Sequence, residues 1–426
     1  MSEPGSTSSG GAVSRLSIMM FLQFFVWGSW YVSMTGFLNK EGMGGLTAAA
    51  YSVGPIAAII APFFLGLIAD RFFATERVLG VMHVLGGVAL CAIPYMAKGF
   101  DAAKDGSAFM HPAILLMLAH MLCYMPTLGL TTSVSFHNLP NREKQFPLVR
   151  VWGTIGWIVG NIAVSYLPGK DQSAYQFYMG GAAAVVLGLY SFSLPHTPAP
   201  AKGKAVSFGD IIGLDSLKLL ARPSYAIFII CSFLLCIPLA GYYAQARNFV
   251  EATGSVVNDS AVFTMSFGQM SEIFFMLVMP LCFARLGVKW MLAVGMLAWV
   301  VRYGLFAGAW DQKITWMVLS GVILHGICYD FFFVTGMIYV DQAANKEIRS
   351  QAQGFLVLVT QGLGMFIGAQ AFGKLVGKFT TPGVPPLKDV VAWKDIWLWP
   401  CLFAAGILVI FVLLFRNPKK PQDAAV

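Results

Sequence analysis

The sequence predicts an all-α membrane protein whose twelve transmembrane helices form two halves of six. The 426 residues are 57% hydrophobic and only 11% charged, which is roughly half the charged share of a soluble domain. The apolar stretches are each close to the roughly 20 residues that a helix needs to cross a bilayer. The longest polar connector, residues 195–222, lies midway along the chain and divides these stretches equally.

Each transmembrane helix is placed on an apolar stretch between polar connectors. The twelve predicted spans are 15–38, 47–70, 77–97, 110–137, 147–167, 174–194, 223–248, 260–285, 288–308, 314–341, 349–378 and 393–415. Around them the sequence predicts a disordered Gly/Ser-rich tail (1–14), an N-terminal half (15–194), a linker (195–222), a C-terminal half (223–415) and a second tail (416–426).

Lysine and arginine are distributed unevenly among the connectors, and this predicts the orientation of the chain. The net charge of +8 is not concentrated on one face, so no nucleic-acid partner is expected. If the first span begins in the cytoplasm, most basic residues lie on the cytoplasmic side, as the positive-inside rule requires. Both termini are therefore predicted to be cytoplasmic, with the lipid bilayer around the spans.

The sequence carries no signature of an enzyme or of a metal site. All 7 cysteines lie inside apolar segments without metal-ligand spacing, and such cysteines behave as small hydrophobic residues. No nucleophile lies in a pattern with a catalytic base. We therefore expect a membrane carrier with no catalytic residues, no metal and no cofactor.

Asp330 is the polar residue on which the functional interpretation depends. It lies near the centre of the apolar run 315–339, where inserting a charged side chain costs roughly 3 kcal/mol. A carboxylate at this depth usually has a function, and a role in helix packing is the alternative. His325 lies about one turn before it, and Tyr329 is its neighbour. Because a buried carboxyl group favours its neutral form, Asp330 is the leading candidate for a proton-coupling site.

Span five carries a polar and aromatic face. Arg150, Thr154 and Trp157 recur at i, i+4 and i+7, which places them on one side of a helix. An arginine fork can donate two hydrogen bonds to hydroxyl or carbonyl oxygens, and a tryptophan face can stack on a base or a sugar. The pattern predicts a substrate-binding face. In the alternative, Arg150 extends to the cytoplasmic edge of the membrane.

Span eight carries Gln269 and Glu272, one helical turn apart. Arg302 in span nine lies at a similar predicted depth, given a rise of roughly 1.5 Å per helical residue. Two hypotheses follow. Glu272 contacts the substrate and is the second candidate for the coupling proton, or it forms a structural ion pair with Arg302.

Span one carries Gln23, Trp27 and Trp30 at i, i+4 and i+7. These side chains either pack and form an interfacial aromatic belt or face a cavity. In span four, Pro126 predicts a kink next to Thr127, and kinked transporter helices often line cavities because the freed carbonyl groups need partners. Bending alone would also explain the proline.

A loop motif indicates the fold family. The segment from Gly66 to Arg71, with Asp70, closes span two and enters a short basic loop. It resembles the Gly…Asp-Arg loop signature of the major facilitator superfamily. Ala284–Lys289 forms a similar tight basic turn at the equivalent place in the second half. The resemblance implies the major facilitator fold, with two six-helix halves around a midplane site.

Several longer segments are more specific. The chain resembles the bacterial nucleoside–proton symporters of this superfamily over nearly its whole length and in the same order. The segments that carry the resemblance are Phe21–Trp30, Tyr124–Leu130, Arg150–Trp157, Leu194–Thr197, Gln269–Glu272, Tyr329–Phe332 and Arg349–Gly354. It implies a nucleoside site formed by Arg150, Thr154, Trp157, Gln269, Glu272, Tyr329 and Asp330. His325 joins this predicted set, because it occupies the position of a family tyrosine.

The chain also departs from the family in span seven. The family has a glutamine and an asparagine where this chain reads Pro238-Leu-Ala-Gly-Tyr-Tyr243. Gln245, Arg247 and Asn248 lie farther along the span and are candidates to replace those amides.

Together these observations predict a proton-driven nucleoside importer of the bacterial inner membrane that works by alternating access. We expect a monomer with a small-molecule substrate and the proton as coupling ion. The alternative is a galactoside-type sugar symporter, because Trp157 also fits the sugar-binding helix of lactose-permease-like carriers. A membrane receptor built on a carrier fold is a third possibility.

Overall fold

The computed structural model describes residues 9–64, 73–101, 103–199, 214–345, 348–383 and 389–417. The predicted loop signature Gly66–Arg71 lies outside these residues, as do the chain ends and the middle of the predicted linker. The described part is overwhelmingly α-helical, as the sequence predicted.

Seven helices lie in the described residues before the linker. They are α1 (Ser9–Gly28), α2 (Met34–Lys40), α3 (Thr47–Phe64), α4 (Thr75–Ala92), α5 (Pro112–Asn138), α6 (Arg142–Val164) and α7 (Tyr175–Ser191). Short 3-10 turns occupy Gly44–Leu46, Ile93–Met96, Ala108–Met110, Lys170–Gln172 and Leu214–Ala221.

Eight further helices follow the linker in the part of the chain that the structure describes. They are α8 (Pro223–Thr253), α9 (Ala261–Ala309), α10 (Thr315–Ile323), α11 (His325–Cys328), α12 (Thr335–Ala343), α13 (Arg349–Val357), α14 (Met365–Lys378) and α15 (Trp393–Leu414). Two π-helical segments, Tyr329–Val334 and Leu358–Gly364, join α11 to α12 and α13 to α14. The strands β1 (Thr380–Thr381) and β2 (Val390–Val391) form a small antiparallel pair.

These helices account for the twelve predicted spans. Within the described residues, 10 helical stretches are long and apolar enough to cross a membrane. One of them, α9, contains two predicted spans, because Gly287 breaks it with a φ of 65° that favours glycine. The sixth predicted span corresponds to α7, whose 17 residues make it slightly shorter than the others.

Two predicted boundaries near the N-terminus are wrong. Residues 9–14 were assigned to the tail but form the first turns of α1, and their glycines and serines concealed this start. Span one was predicted to continue to residue 38, but the helix ends at Gly28 and resumes at Met34. The hydroxyl groups of Ser29 and Ser33 donate to the carbonyl oxygens of Val26 and Trp30, an alternative to regular helical bonding that the apolar sequence does not reveal.

The chain forms two compact units. The first comprises Met1–Ser207, Tyr243–Asn248 and Val257–Ser266, and the second comprises Phe208–Tyr242, Phe249–Val256 and Phe267–Val426. The boundaries of the predicted halves and linker remain a prediction, because residues 200–213 lie outside the described part of the chain.

Each unit has its own apolar core. In the first, buried side chains of α1, α4, α5 and α7 pack together, including Leu16, Leu79, Val134 and Leu187. Its helices α1 and α6 pack so closely that a Cβ atom at Gly156 would lie 2.1 Å from the carbonyl oxygen of Phe21. In the second unit, one cluster contains Met279, Met291 and Phe331.

Candidate substrate and proton sites

The span-five residues lie on α6 in the first unit and are all half-buried. The Arg150 guanidinium carbon lies 4.4 Å from the ring centroid of Phe24, a cation–π distance. Gly153 allows this approach, because a Cβ atom there would lie 2.7 Å from the Phe24 ring. Arg150 thus contacts a ring of α1, and its role in substrate binding stays a prediction.

Trp157 belongs to an aromatic cluster. Its ring meets the ring of Trp27 edge-on with centroids 5.2 Å apart, and the ring of Tyr31 lies 6.3 Å away. Trp27 in turn packs against Tyr124 at 5.5 Å. Trp27 and Trp157 are both half-buried, so part of each ring remains available for a planar ligand.

The other two predicted residues of span one lie inside the first unit. Gln23 is fully buried; its amide nitrogen donates to the Thr127 hydroxyl at 2.8 Å, and its amide oxygen lies 2.7 Å from Nε2 of His83. Trp30 is fully buried against His120 and Phe177. Of the predicted face of span one, Trp27 contacts Trp157 directly, and Trp30 packs against Tyr31 of the same cluster with ring centroids 5.9 Å apart.

The polar residues predicted to replace the family amides of span seven are engaged with one another. Arg247 donates through Nε and Nη2 to Oδ2 of Asp171, at 2.9 and 2.8 Å. Its Nη1 donates to the side-chain oxygen of Asn248 at 3.2 Å, and Asn248 donates to Gln245 at 3.1 Å. All four residues belong to the first unit, where they form a buried structural network at the end of α8.

Within the span-seven segment Pro238–Tyr243, two adjacent tyrosines make aromatic contacts. Tyr243 packs edge-on against Tyr31 in the first unit, with ring centroids 5.7 Å apart. Tyr242, which is fully buried in the second unit, stacks on His325 at 5.3 Å. The hypothesis that Gln245, Arg247 and Asn248 take over the amide function therefore has no support in these contacts.

The second unit brings Glu272, Arg302 and His325 together. Nε2 of His325 lies 3.1 Å from Oε1 of Glu272, and Nδ1 of His325 lies 3.1 Å from Nη1 of Arg302. The imidazole is thus inserted between the acid and the base that the sequence suggested as an ion pair. The predicted similarity in depth is consistent with this geometry, but sequence reasoning missed His325 as the bridging group.

Gln269 lies one turn before Glu272 and is buried. Its side-chain oxygen makes no hydrogen bond within the described part of the chain. Tyr329 is half-buried, with its ring 6.3 Å from that of His325. Gln269 therefore offers an unused acceptor, and Tyr329 offers a partly exposed ring.

Asp330 occupies the second position of the π-helical segment Tyr329–Val334. Its side chain is fully buried at 0% exposure, and neither carboxylate oxygen has a hydrogen-bond partner among the described residues. Short π-helical turns within longer helices occur frequently at functional sites. A buried carboxylate without donors is stable only in its neutral form or when a partner arrives.

The described residues contain no group of three His, Cys, Asp or Glu side chains that could hold a metal ion. The chemistry available here is hydrogen bonding, aromatic stacking and proton exchange at carboxyl groups.

Comparison with known proteins identifies the family. A sequence profile described as "Nucleoside H+ symporter" matches residues 11–420. This chain belongs to that family. It is 36% identical to the putative nucleoside transporter YegT of Escherichia coli (strain K12), covering 96% of this chain and 95% of that protein. It is 30% identical to the nucleoside permease NupG of the same strain, over 94% and 95% of the two chains.

The structural similarity agrees with the sequence match. A crystal structure of a mutant of the nucleoside transporter NupG aligns with a TM-score of 0.84 and 28% identity, covering 95% of this chain and 100% of the other. The predicted major facilitator fold and proton-coupled nucleoside transport are confirmed, and the sugar alternative is not favoured. The chain is a multi-pass inner-membrane transporter rather than an enzyme.

Proposed function

We propose that this protein imports nucleosides into the bacterial cytoplasm as a monomer, with Asp330 as the residue that exchanges the coupling proton. The observation that carries the proposal is the combination of complete burial and missing hydrogen-bond donors at Asp330. Such a carboxylate favours binding a proton, because protonation removes the free-energy cost of a buried charge. The predicted orientation, with both termini in the cytoplasm, fits the positive-inside rule.

Each unit contains groups that we propose for substrate recognition. On the first, Trp157 stacks on the planar base, while Arg150 and Thr154 hydrogen-bond polar groups of the nucleoside. Half-burial of all three side chains supports this role. On the second, Gln269 and Glu272 accept hydrogen bonds from hydroxyl or amine groups, and the unused oxygen of Gln269 supports this assignment. His325 and Tyr329 adjoin them.

Uptake of labelled uridine into membrane vesicles tests the function. With an imposed proton gradient, inward and acidic outside, the vesicles should concentrate uridine, and a panel of unlabelled nucleosides should compete while galactosides do not. Vesicles without the protein provide the control. Competition by galactosides alone, or uptake that does not respond to the proton gradient, would contradict the proposal.

A further inference from the structure

Arg302, His325 and Glu272 form a continuous hydrogen-bonded chain in the second unit. The two contacts are 3.1 Å each, on opposite ring nitrogens of His325. Arg302 is completely buried at 0% exposure and His325 nearly so at 2%, whereas the Glu272 side chain is 13% exposed. Two buried groups therefore lie behind one carboxylate that a ligand can reach.

The chemistry of the three groups fixes the proton positions. A guanidinium group remains protonated and can only donate. Nδ1 of His325 must therefore accept, which requires a neutral imidazole with its proton on Nε2. That proton can then point only at Oε1 of Glu272, and a carboxylate is the strongest acceptor available. A doubly protonated His325 would direct an N–H group at the N–H group of Arg302.

The surroundings hold this chain in place. The guanidinium carbon of Arg302 lies 3.3 Å from the ring centroid of Tyr242, and the same ring stacks on His325 with an interplanar angle of 21°. The hydroxyl of Ser271, next to Glu272, donates to the carbonyl oxygen of Ile323 at 2.6 Å and accepts from the backbone N–H of Gly326 at 3.0 Å. These contacts fix the register between α9 and the segment that carries His325.

We propose that Arg302 is a positioning residue for substrate binding, which acts through the Nε2-protonated form of His325 to orient the Glu272 carboxylate. The inference rests on the proposed function, in which Glu272 binds the nucleoside. It assigns His325 a fixed tautomer and removes it from the coupling chemistry. Metal-bound histidines are oriented by the same device, in which the partner of one ring nitrogen sets the proton on the other.

Transport kinetics of three variants test this inference. Arg302→Leu and His325→Leu should each raise the half-saturation concentration for uridine about tenfold, or about 1.4 kcal/mol. The rate at saturation and the pH profile of accumulation should remain near those of the unaltered protein. His325→Gln should restore most of the affinity, because a side-chain amide can accept from Arg302 and donate to Glu272. Tyr303→Phe, the next residue on α9, removes a buried hydroxyl that has no partner among the described residues and should change nothing.

A second readout separates positioning from simple loss of folding. In ¹⁵N-histidine-labelled protein, the His325 ring, assigned with His325→Gln, should show the neutral Nε2-protonated form across the working pH range. In Arg302→Leu no cation faces Nδ1, so the ring should take up a second proton beside the Glu272 carboxylate as the pH falls. A His325 ring that titrates in step with the transport pH profile would overturn the inference, as would unchanged affinity in both leucine variants.

Glu272→Gln in the same assay distinguishes the proposed binding role of Glu272 from the positioning role of Arg302 and His325. If Glu272→Gln leaves the affinity unchanged, the proposed binding role of Glu272 is wrong and the inference falls with it. If Glu272→Gln weakens binding but Arg302→Leu and His325→Leu do not, only the positioning role is wrong.

Discussion

Three buried carboxylates, two in the first unit and one in the second, differ in their partners. In the first unit, Glu76 accepts from Nδ1 of His196 at 2.9 Å and from the backbone N–H of Thr197 at 3.0 Å. Asp171 accepts two hydrogen bonds from the Arg247 guanidinium. In the second unit, Asp330 has no hydrogen-bond partner among the described residues.

This difference supports the proposal that Asp330 exchanges a proton whereas the other two acids are structural. Donors and a cation stabilise the charged form of a buried carboxylate, and Glu76 and Asp171 have such partners. At Asp330 the protein supplies no such stabilisation, and the charge that is costly there is avoided by binding a proton. The proposed function requires an acid that fixed partners do not hold in its charged form, and of these three acids Asp330 meets that requirement among the described residues.

The largest expected effect is that of Asp330→Asn, which mimics the protonated form. Because asparagine cannot release a proton, accumulation of uridine against its gradient should be lost completely. Exchange of internal for external uridine should persist, since exchange requires no net proton movement. Counterflow and gradient-driven uptake in the same vesicles measure both. If Asp330→Asn still concentrates uridine with a normal pH dependence, the coupling site must be assigned to Glu272 or elsewhere.

Asp171→Asn should act on stability instead. Removing one partner of a buried ion pair leaves the Arg247 charge uncompensated, at a cost of roughly 3–5 kcal/mol. The thermal unfolding temperature of Asp171→Asn in detergent should therefore be well below that of Asp330→Asn, because the second substitution leaves no charged partner uncompensated. The double variant Asp171→Leu with Arg247→Met should recover most of the loss. Equal unfolding temperatures for Asp171→Asn and Asp330→Asn would remove the distinction between the two kinds of acid.

Sequence reasoning succeeded where a single helix or the cost of membrane insertion decides the outcome. Hydropathy determines the spans, and the cost of a mid-membrane charge drew attention to Asp330, which is buried and whose role in proton coupling stays a prediction. The period of a helix placed Arg150 and Trp157 on one half-buried face. These inferences need no information about how different helices are rotated against each other.

Sequence reasoning failed where contacts join residues that are distant in the chain. The position of His325 between Arg302 and Glu272 depends on the rotation of α9 and α11 about their own axes, which the apolar pattern does not fix. The same holds for Arg247, which looked available for substrate because nothing in the sequence places Asp171, 76 residues away, beside it.

Trp157→Ala tests whether the half-buried aromatic face of the first unit binds substrate. Loss of base stacking should weaken nucleoside binding by roughly 1–3 kcal/mol, seen as a higher half-saturation concentration for uridine. Trp30→Phe is the matched control, because Trp30 is fully buried against His120 and Phe177. Equal affinities for Trp157→Ala and the unaltered protein would place the substrate away from this aromatic cluster.

The smallest expected effect concerns the satisfied polar network inside the first unit. Thr127→Val removes the hydroxyl that accepts from Gln23 at 2.8 Å, and a lost intramolecular hydrogen bond typically costs about 1 kcal/mol. Thermal stability should therefore fall slightly while the half-saturation concentration for uridine stays the same. Thr131→Val provides the control on the same helix, because its hydroxyl donates to the carbonyl oxygens of Thr127 and Leu128 within α5. A weakened affinity in Thr127→Val with unchanged stability would mean that the buried network of the first unit takes part in substrate binding. Buried polar groups that have hydrogen-bond partners would then also contribute to function.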